Sequence, residues 1–123
     1  MKRTEFDDLR QWLARASEWG EVRTVKGIDL EEDVGRIAEI SARTKDGPAV
    51  LLDEFPGYPP GFRILLNPYG TLKRIAYTFG FPTNVTEPNE LASLFREHKQ
   101  KLELIPPQYV DSGPVFQNRF TGD

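Results

Sequence analysis

Any chemistry in this sequence has to start from few residue types, because it contains a single histidine, His98, and no cysteine. A histidine-based metal site or catalytic pair would need carboxylate partners from distant parts of the chain. His98 itself falls on the apolar stripe of a helix, where a packed or edge role is the plainer reading. The lack of cysteine removes thiolate metal sites, disulfides and cysteine nucleophiles together. No serine stands in a nucleophile-elbow pattern. The acidic run Glu31-Glu32-Asp33 lacks EF-hand spacing, and at a helix start its charge complements the helix dipole. No catalytic, cofactor-binding or metal-binding residue is therefore assigned.

The most suggestive local pattern is Asn67-Pro68-Tyr69-Gly70-Thr71-Leu72-Lys73-Arg74. A glycine before a helix start, followed by cations in the first turns, can hold an anion on free backbone N–H groups. The contacts would be Gly70, Thr71, Lys73 and Arg74. The segment has neither Walker A spacing nor the dinucleotide-binding glycine fingerprint, and helix capping by Asn67 or Thr71 is its structural alternative. Trp12, Trp19, Tyr58 and Tyr69 lack the interleaved cations of a single-strand nucleic-acid surface, which leaves them core and domain-contact roles.

These residues must be carried by regular elements, and the periodicity supplies them. Thr4 and Asp7 resemble a capping box, after which Phe6, Leu9, Leu13 and Ala16 predict a helix over 6–18, stopped at Gly20. Residues 21–25 alternate as a short strand. A second helix over 31–44 carries Val34, Ile37, Ala38 and Ser41 on one face. The apolar run 48–53 reads as a buried strand, and 62–66 as another across a Pro-rich loop. Helices over 71–79 and 87–102 follow, the last with Pro88 in its first turn and a stripe of Leu91, Leu94, Phe95, His98 and Leu102. Leu51, Ile64, Ile75 and Leu94 are the expected core residues. Beyond Ile105-Pro106-Pro107 the periodicity ends, with one edge strand available over 114–120.

The expected fold class is α/β, mixed and α+β-like. A small mixed sheet of three to four strands is covered by about four helices, with an extended C-terminal tail. A strand-helix-strand step favours a right-handed parallel crossover, and the Pro-rich loop an antiparallel neighbour. The length of 123 residues suits one domain over 1–104, with 105–123 as a tail. A net charge of −3 argues against a phosphate-neutralising surface, so nucleic acid is an unexpected partner. The sequence shows no signal peptide and no membrane span, and a soluble, cytoplasmic protein is expected.

Several landmarks in order resemble the start of UbiD-type decarboxylases: Asp8-Leu9-Arg10-Gln11-Trp12-Leu13, Glu18-Trp19-Gly20-Glu21-Val22, the acidic second helix, Gly47-Pro48-Ala49-Val50-Leu51-Leu52, Gly57-Tyr58-Pro59, and 67–76. The tail, with Pro106-Pro107, Gly113-Pro114-Val115, Gln117-Asn118 and Thr121-Gly122-Asp123, is similar to that family's entry into its central domain. The resemblance implies reversible, non-oxidative decarboxylation of aromatic or α,β-unsaturated acids, using prenylated FMN with a divalent metal and potassium. It also implies that the cofactor and the Glu-Arg-Glu catalytic group belong to the central domain, so no family catalytic residue maps onto this sequence. Three functions follow as expectations. The first is an amino-terminal domain or split subunit whose partner is the remaining catalytic domains or subunit. The second is a non-catalytic interaction or assembly module, a homo-oligomer among its forms. The third is a small anion- or phosphate-binding protein using the Gly70–Arg74 helix start.

Overall fold

A computed structural model describes residues 4–119 and 121–122, so expectations touching Met1–Arg3, Phe120 and Asp123 lie outside the described residues. The chain order is α1 (Leu9–Glu18), β1 (Val22–Lys26), α2 (Asp33–Arg43), β2 (Ala49–Asp53), β3 (Arg63–Leu66), α3 (Leu72–Thr78) and α4 (Pro88–Gln100). The expected α+β class holds, with three strands and four helices among the described residues. None of these helices is long and apolar enough to cross a membrane.

The first helix starts later than its apolar spacing suggests. Asp8 is the N-cap, its carboxylate accepting from the N–H groups of Arg10 at 2.9 Å and Gln11 at 3.0 Å. Thr4 instead donates its hydroxyl to the Phe6 carbonyl at 3.0 Å, so the expected Thr4–Asp7 box does not form. At the other end Gly20 adopts φ +71°, and the N–H of Glu21 reaches back to the Ala16 carbonyl at 2.9 Å. This left-handed stop turns the chain directly into β1.

The sheet runs β1-β2-β3, with β1 and β2 parallel across α2 and β3 antiparallel to β2. Register sets its two faces. Val25, Val50, Leu52, Ile64 and Leu66 pack with Ile28, Phe55, Val34 and Ile37 under α2. Val22, Ala49 and Leu65 pack with Trp12, Leu13, Ala16 and Tyr77 under α1 and α3. A third cluster joins α3 to α4 through Ala76, Val85 and Leu91.

Two further expectations are corrected. Leu51, Ile64, Ile75 and Leu94 are only half-buried, whereas Leu52, Ala76 and Leu91 are buried. Each element is too short, and each covering layer too narrow, to seal both faces, so Leu51 and Leu65 line an open cavity of about 340 Å³ beside Leu9 and Leu13. Residues 114–116 form a 3₁₀ turn rather than an edge strand. Pro114 has no N–H for a ladder and its fixed φ suits a helical first position, and the N–H of Phe116 closes on Gly113 at 3.0 Å.

Candidate functional site

The segment singled out from the sequence becomes the most densely bonded part of the molecule. Asn67 adopts φ +54° and turns β3 toward α3, and the Thr71 hydroxyl caps α3 by accepting from the Arg74 N–H at 3.3 Å. Capping by Thr71 is thus realised. Arg74 is fully buried, 0% exposed, on a helix only seven residues long. Its Nη1 donates to Glu21 Oε2 at 2.5 Å, and its Nη2 to the carbonyls of Gly47 at 2.7 Å and Asn67 at 3.3 Å. Its Nε donates to the Pro68 carbonyl at 3.2 Å.

The planar guanidinium thereby ties the start of β1, the turn before β2, the turn after β3 and α3 itself into one node, a task for which an ammonium has too few fixed donors. Gly70 lies against this node, since a Cβ there would meet the Asn67 side-chain amide and stand 2.7 Å from Arg74 Nη2. Lys73 is on the outer side, its Nζ 3.9 Å from Glu21 Oε1 and 4.6 Å from the Trp19 ring centre. The Thr71 hydroxyl donates to Glu21 Oε2 at 3.4 Å, so Thr71, Lys73 and Arg74 converge on Glu21, a carboxylate. Four of the five guanidinium donors of Arg74 are already engaged by protein acceptors.

Other candidates are dispersed. His98 packs edge-on to Phe81 with ring centres 5.5 Å apart, the edge role its helix position suggests. Asp29 receives the N–H groups of Glu31 at 2.9 Å and Glu32 at 2.8 Å, and Asp33 receives that of Asp29, so the acidic run organises the start of α2. No group of three or more histidines or acids able to hold a metal occurs among the described residues. Trp12 and Trp19 converge on Tyr77, with the Trp12 indole donating to the Thr78 hydroxyl at 2.9 Å, while Tyr58 and Tyr69 are exposed elsewhere.

Sequence reasoning missed Glu21 and Tyr77. No linear spacing links residue 21 to residue 74. The buried Arg74–Tyr77 pair, three residues apart, was masked by the more apolar Leu72, Ile75 and Phe79. Burial pushes the Tyr77 phenol up, with Glu5 adding to the shift.

One further feature is exposed rather than enclosed. Between α4 and the 3₁₀ turn the chain has no helix or strand, and Leu104, Ile105, Tyr109 and Val110, with Val115 of the turn, present their side chains to solvent.

With this geometry in hand, comparison with known proteins gives a consistent picture. The family described as the 3-octaprenyl-4-hydroxybenzoate carboxy-lyase N-terminal domain matches residues 13–95. A phenolic acid decarboxylase from Escherichia coli O157:H7 is 26% identical over 120 residues, covering 96% of this chain and 25% of its own. The vanillic acid decarboxylase of Sedimentibacter hydroxybenzoicus in its open form has the same fold, with a TM-score of 0.73 at 24% identity over 92% of this chain and 24% of that one. Its closed form superposes with a TM-score of 0.65 at 23% identity over 79% of this chain and 20% of that one. The chain spans about a quarter of the length of the relatives it matches.

Proposed function

This chain belongs to the UbiD amino-terminal domain family, and from that premise we propose that it is the amino-terminal domain or a split subunit of a UbiD-like decarboxylase, acting as a scaffold for a catalytic portion. The reaction of the assembled enzyme is the reversible, non-oxidative decarboxylation of an aromatic or α,β-unsaturated acid, and its cytoplasmic location is part of the same reading. The observation that carries the scaffold role is the tail after α4, where Ile105, Tyr109, Val110, Val115 and Phe116 stand in solvent beside a domain whose clusters pack without them. Burying that row against a second surface supplies the apolar contact that a single extended segment cannot make by itself.

Prenylated FMN, a divalent metal and potassium belong to this proposal as cofactors of the assembled enzyme. The residues present here do not fit such a centre: the described residues offer no cluster of metal-ligating side chains, and the buried cation Arg74 is engaged by Glu21 and three backbone carbonyls. No step of the reaction is therefore assigned to this chain. Its contribution is positional, through a sheet joined to α3 by the Arg74 node and a tail free to meet the catalytic portion.

Purification from cells supplying prenylated FMN, followed by visible spectroscopy and a decarboxylation assay, tests the scaffold role. The chain alone is expected to be colourless and inactive, and to co-purify with the catalytic portion of a UbiD-type enzyme only while residues 105–123 are present. Stoichiometric flavin on the isolated chain, or turnover by it, would refute the reading.

A further inference from the structure

Tyr77 and the groove beside it are not used by the scaffold reading. A cavity of about 390 Å³ lies between the ends of α1 and α3 and the 80–83 turn, walled by Trp19, Tyr77, Phe81 and Pro82, with Glu5 and Arg15 among its polar groups. Tyr77 is 4% exposed, and its hydroxyl makes no hydrogen bond to any described residue. No enclosed side-chain nitrogen or oxygen among the described residues lacks a partner, so this hydroxyl opens into the cavity. A tyrosine buried this deeply normally finds an acceptor. A second cavity of about 240 Å³ shares Gly80 and Phe81 with the first and extends it past Phe79 and Leu94 to Lys101, where the tail begins.

The charges around the phenol select what enters. Glu5 and Glu18 act on it in one sense and Arg15 in the other, and Arg15 is itself paired with Glu18 at 2.7 Å, so no uncompensated cation waits for an anion and a neutral carbonyl is the acceptor that fits. Aromatic walls with a ring hydroxyl aimed at a peptide carbonyl are the surroundings that receive an extended, proline-containing segment. The chain carries such a segment, Leu104-Ile105-Pro106-Pro107-Gln108-Tyr109, outside any helix or strand, with Leu104 and Ile105 at least 90% exposed. Its prolines fix an extended backbone in advance and remove two N–H donors that would otherwise need partners. In its own chain this segment lines neither cavity, and Leu104, Ile105 and Tyr109 stand in solvent.

We propose that the Trp19–Tyr77–Phe81 groove receives the Leu104–Tyr109 segment of a second copy of this chain, the Tyr77 hydroxyl donating to a carbonyl near Pro106-Pro107. Ile105–Tyr109 belong also to the row that the scaffold reading buries, so this exchange is a property of the chain while it is free of a catalytic portion. A groove holding a few residues sits at the weak end of protein contacts, so the isolated segment should saturate on the order of millimolar.

The test is amide and indole NMR of the full chain titrated with a synthetic peptide of residues 102–111, alongside sedimentation equilibrium of the chain itself. Saturable shifts are expected at the Trp19 indole, Tyr77 and 80–83. Tyr77→Phe, which keeps the ring, should weaken binding about five- to tenfold, the loss of one hydrogen bond. A P106A/P107A peptide should bind at least that much more weakly, and the same two changes in the full chain should lower self-association. Absent or non-saturable shifts, shifts confined to other surfaces, undiminished binding by Tyr77→Phe, or peptide binding without self-association would each overturn the proposal.

Discussion

Replacing Arg74 with methionine should be among the most damaging single changes in this protein. The substitution keeps much of the side-chain volume but removes every guanidinium donor, leaving Glu21 facing a buried apolar group and the carbonyls of Gly47, Asn67 and Pro68 without this partner. Breaking a buried ion pair by removing one member costs about 3–5 kcal/mol, because the remaining charge is left uncompensated. Glu21 is 21% exposed and keeps Lys73 within 3.9 Å, which places the expected loss near the lower end, about 3 kcal/mol. For a domain of this size that is a large share of a total stability of about 5–15 kcal/mol, and a fall in Tm of roughly 10–20 °C. Urea and thermal unfolding followed by circular dichroism would measure it. Arg74→Lys should fall between, since one ammonium cannot reach four acceptors on different sides. Lys73→Met, removing a partly exposed charge, should cost under about 1 kcal/mol. If Arg74→Met costs less than about 1 kcal/mol, or no more than Lys73→Met, the node does not hold the sheet to α3.

Leu52→Ala should cost about 2–5 kcal/mol and half-buried Leu51→Ala clearly less, because only Leu52 is fully enclosed; equal losses in urea titrations would mean the faces of β2 are wrongly assigned. Because the folded state raises the Tyr77 phenol above its ordinary value near 10, that stabilisation is intact below this range and is lost as pH climbs through the raised value. Wild type should therefore lose more stability than Tyr77→Phe between about pH 9 and 11, and parallel curves would count against the burial of this ring. Backbone amides after Ile105 should exchange at least about 100-fold faster than those of residues 49–53 in the monomer. Comparable protection in a monomer would show the tail packed on its own domain and remove the chief support for a missing surface.

The linear sequence was sufficient for the elements and their order, because periodicity and punctuation are local. Apolar spacing in α1, α2 and α4, the left-handed stop at Gly20, Pro88 in the first turn of α4 and the apolar run at 49–53 each act within a few residues. The family resemblance was legible for the same reason, being carried by short motifs in order. Tertiary structure alone decided how deep each residue lies. Leu51 and Leu52 are neighbours on the central strand and equally apolar, yet Leu52 faces α2 and is sealed while Leu51 faces the open cavity beside α1, and Ile64 lies on the edge strand β3. It also decided the role of the Gly70–Arg74 turn, since whether Arg74 faces solvent or Glu21 depends on a residue 53 positions away. Charge is a property of the side chain, but burial and pairing belong to the packed chain, and no spacing along the sequence encodes a contact made only when β1 and α3 are brought together.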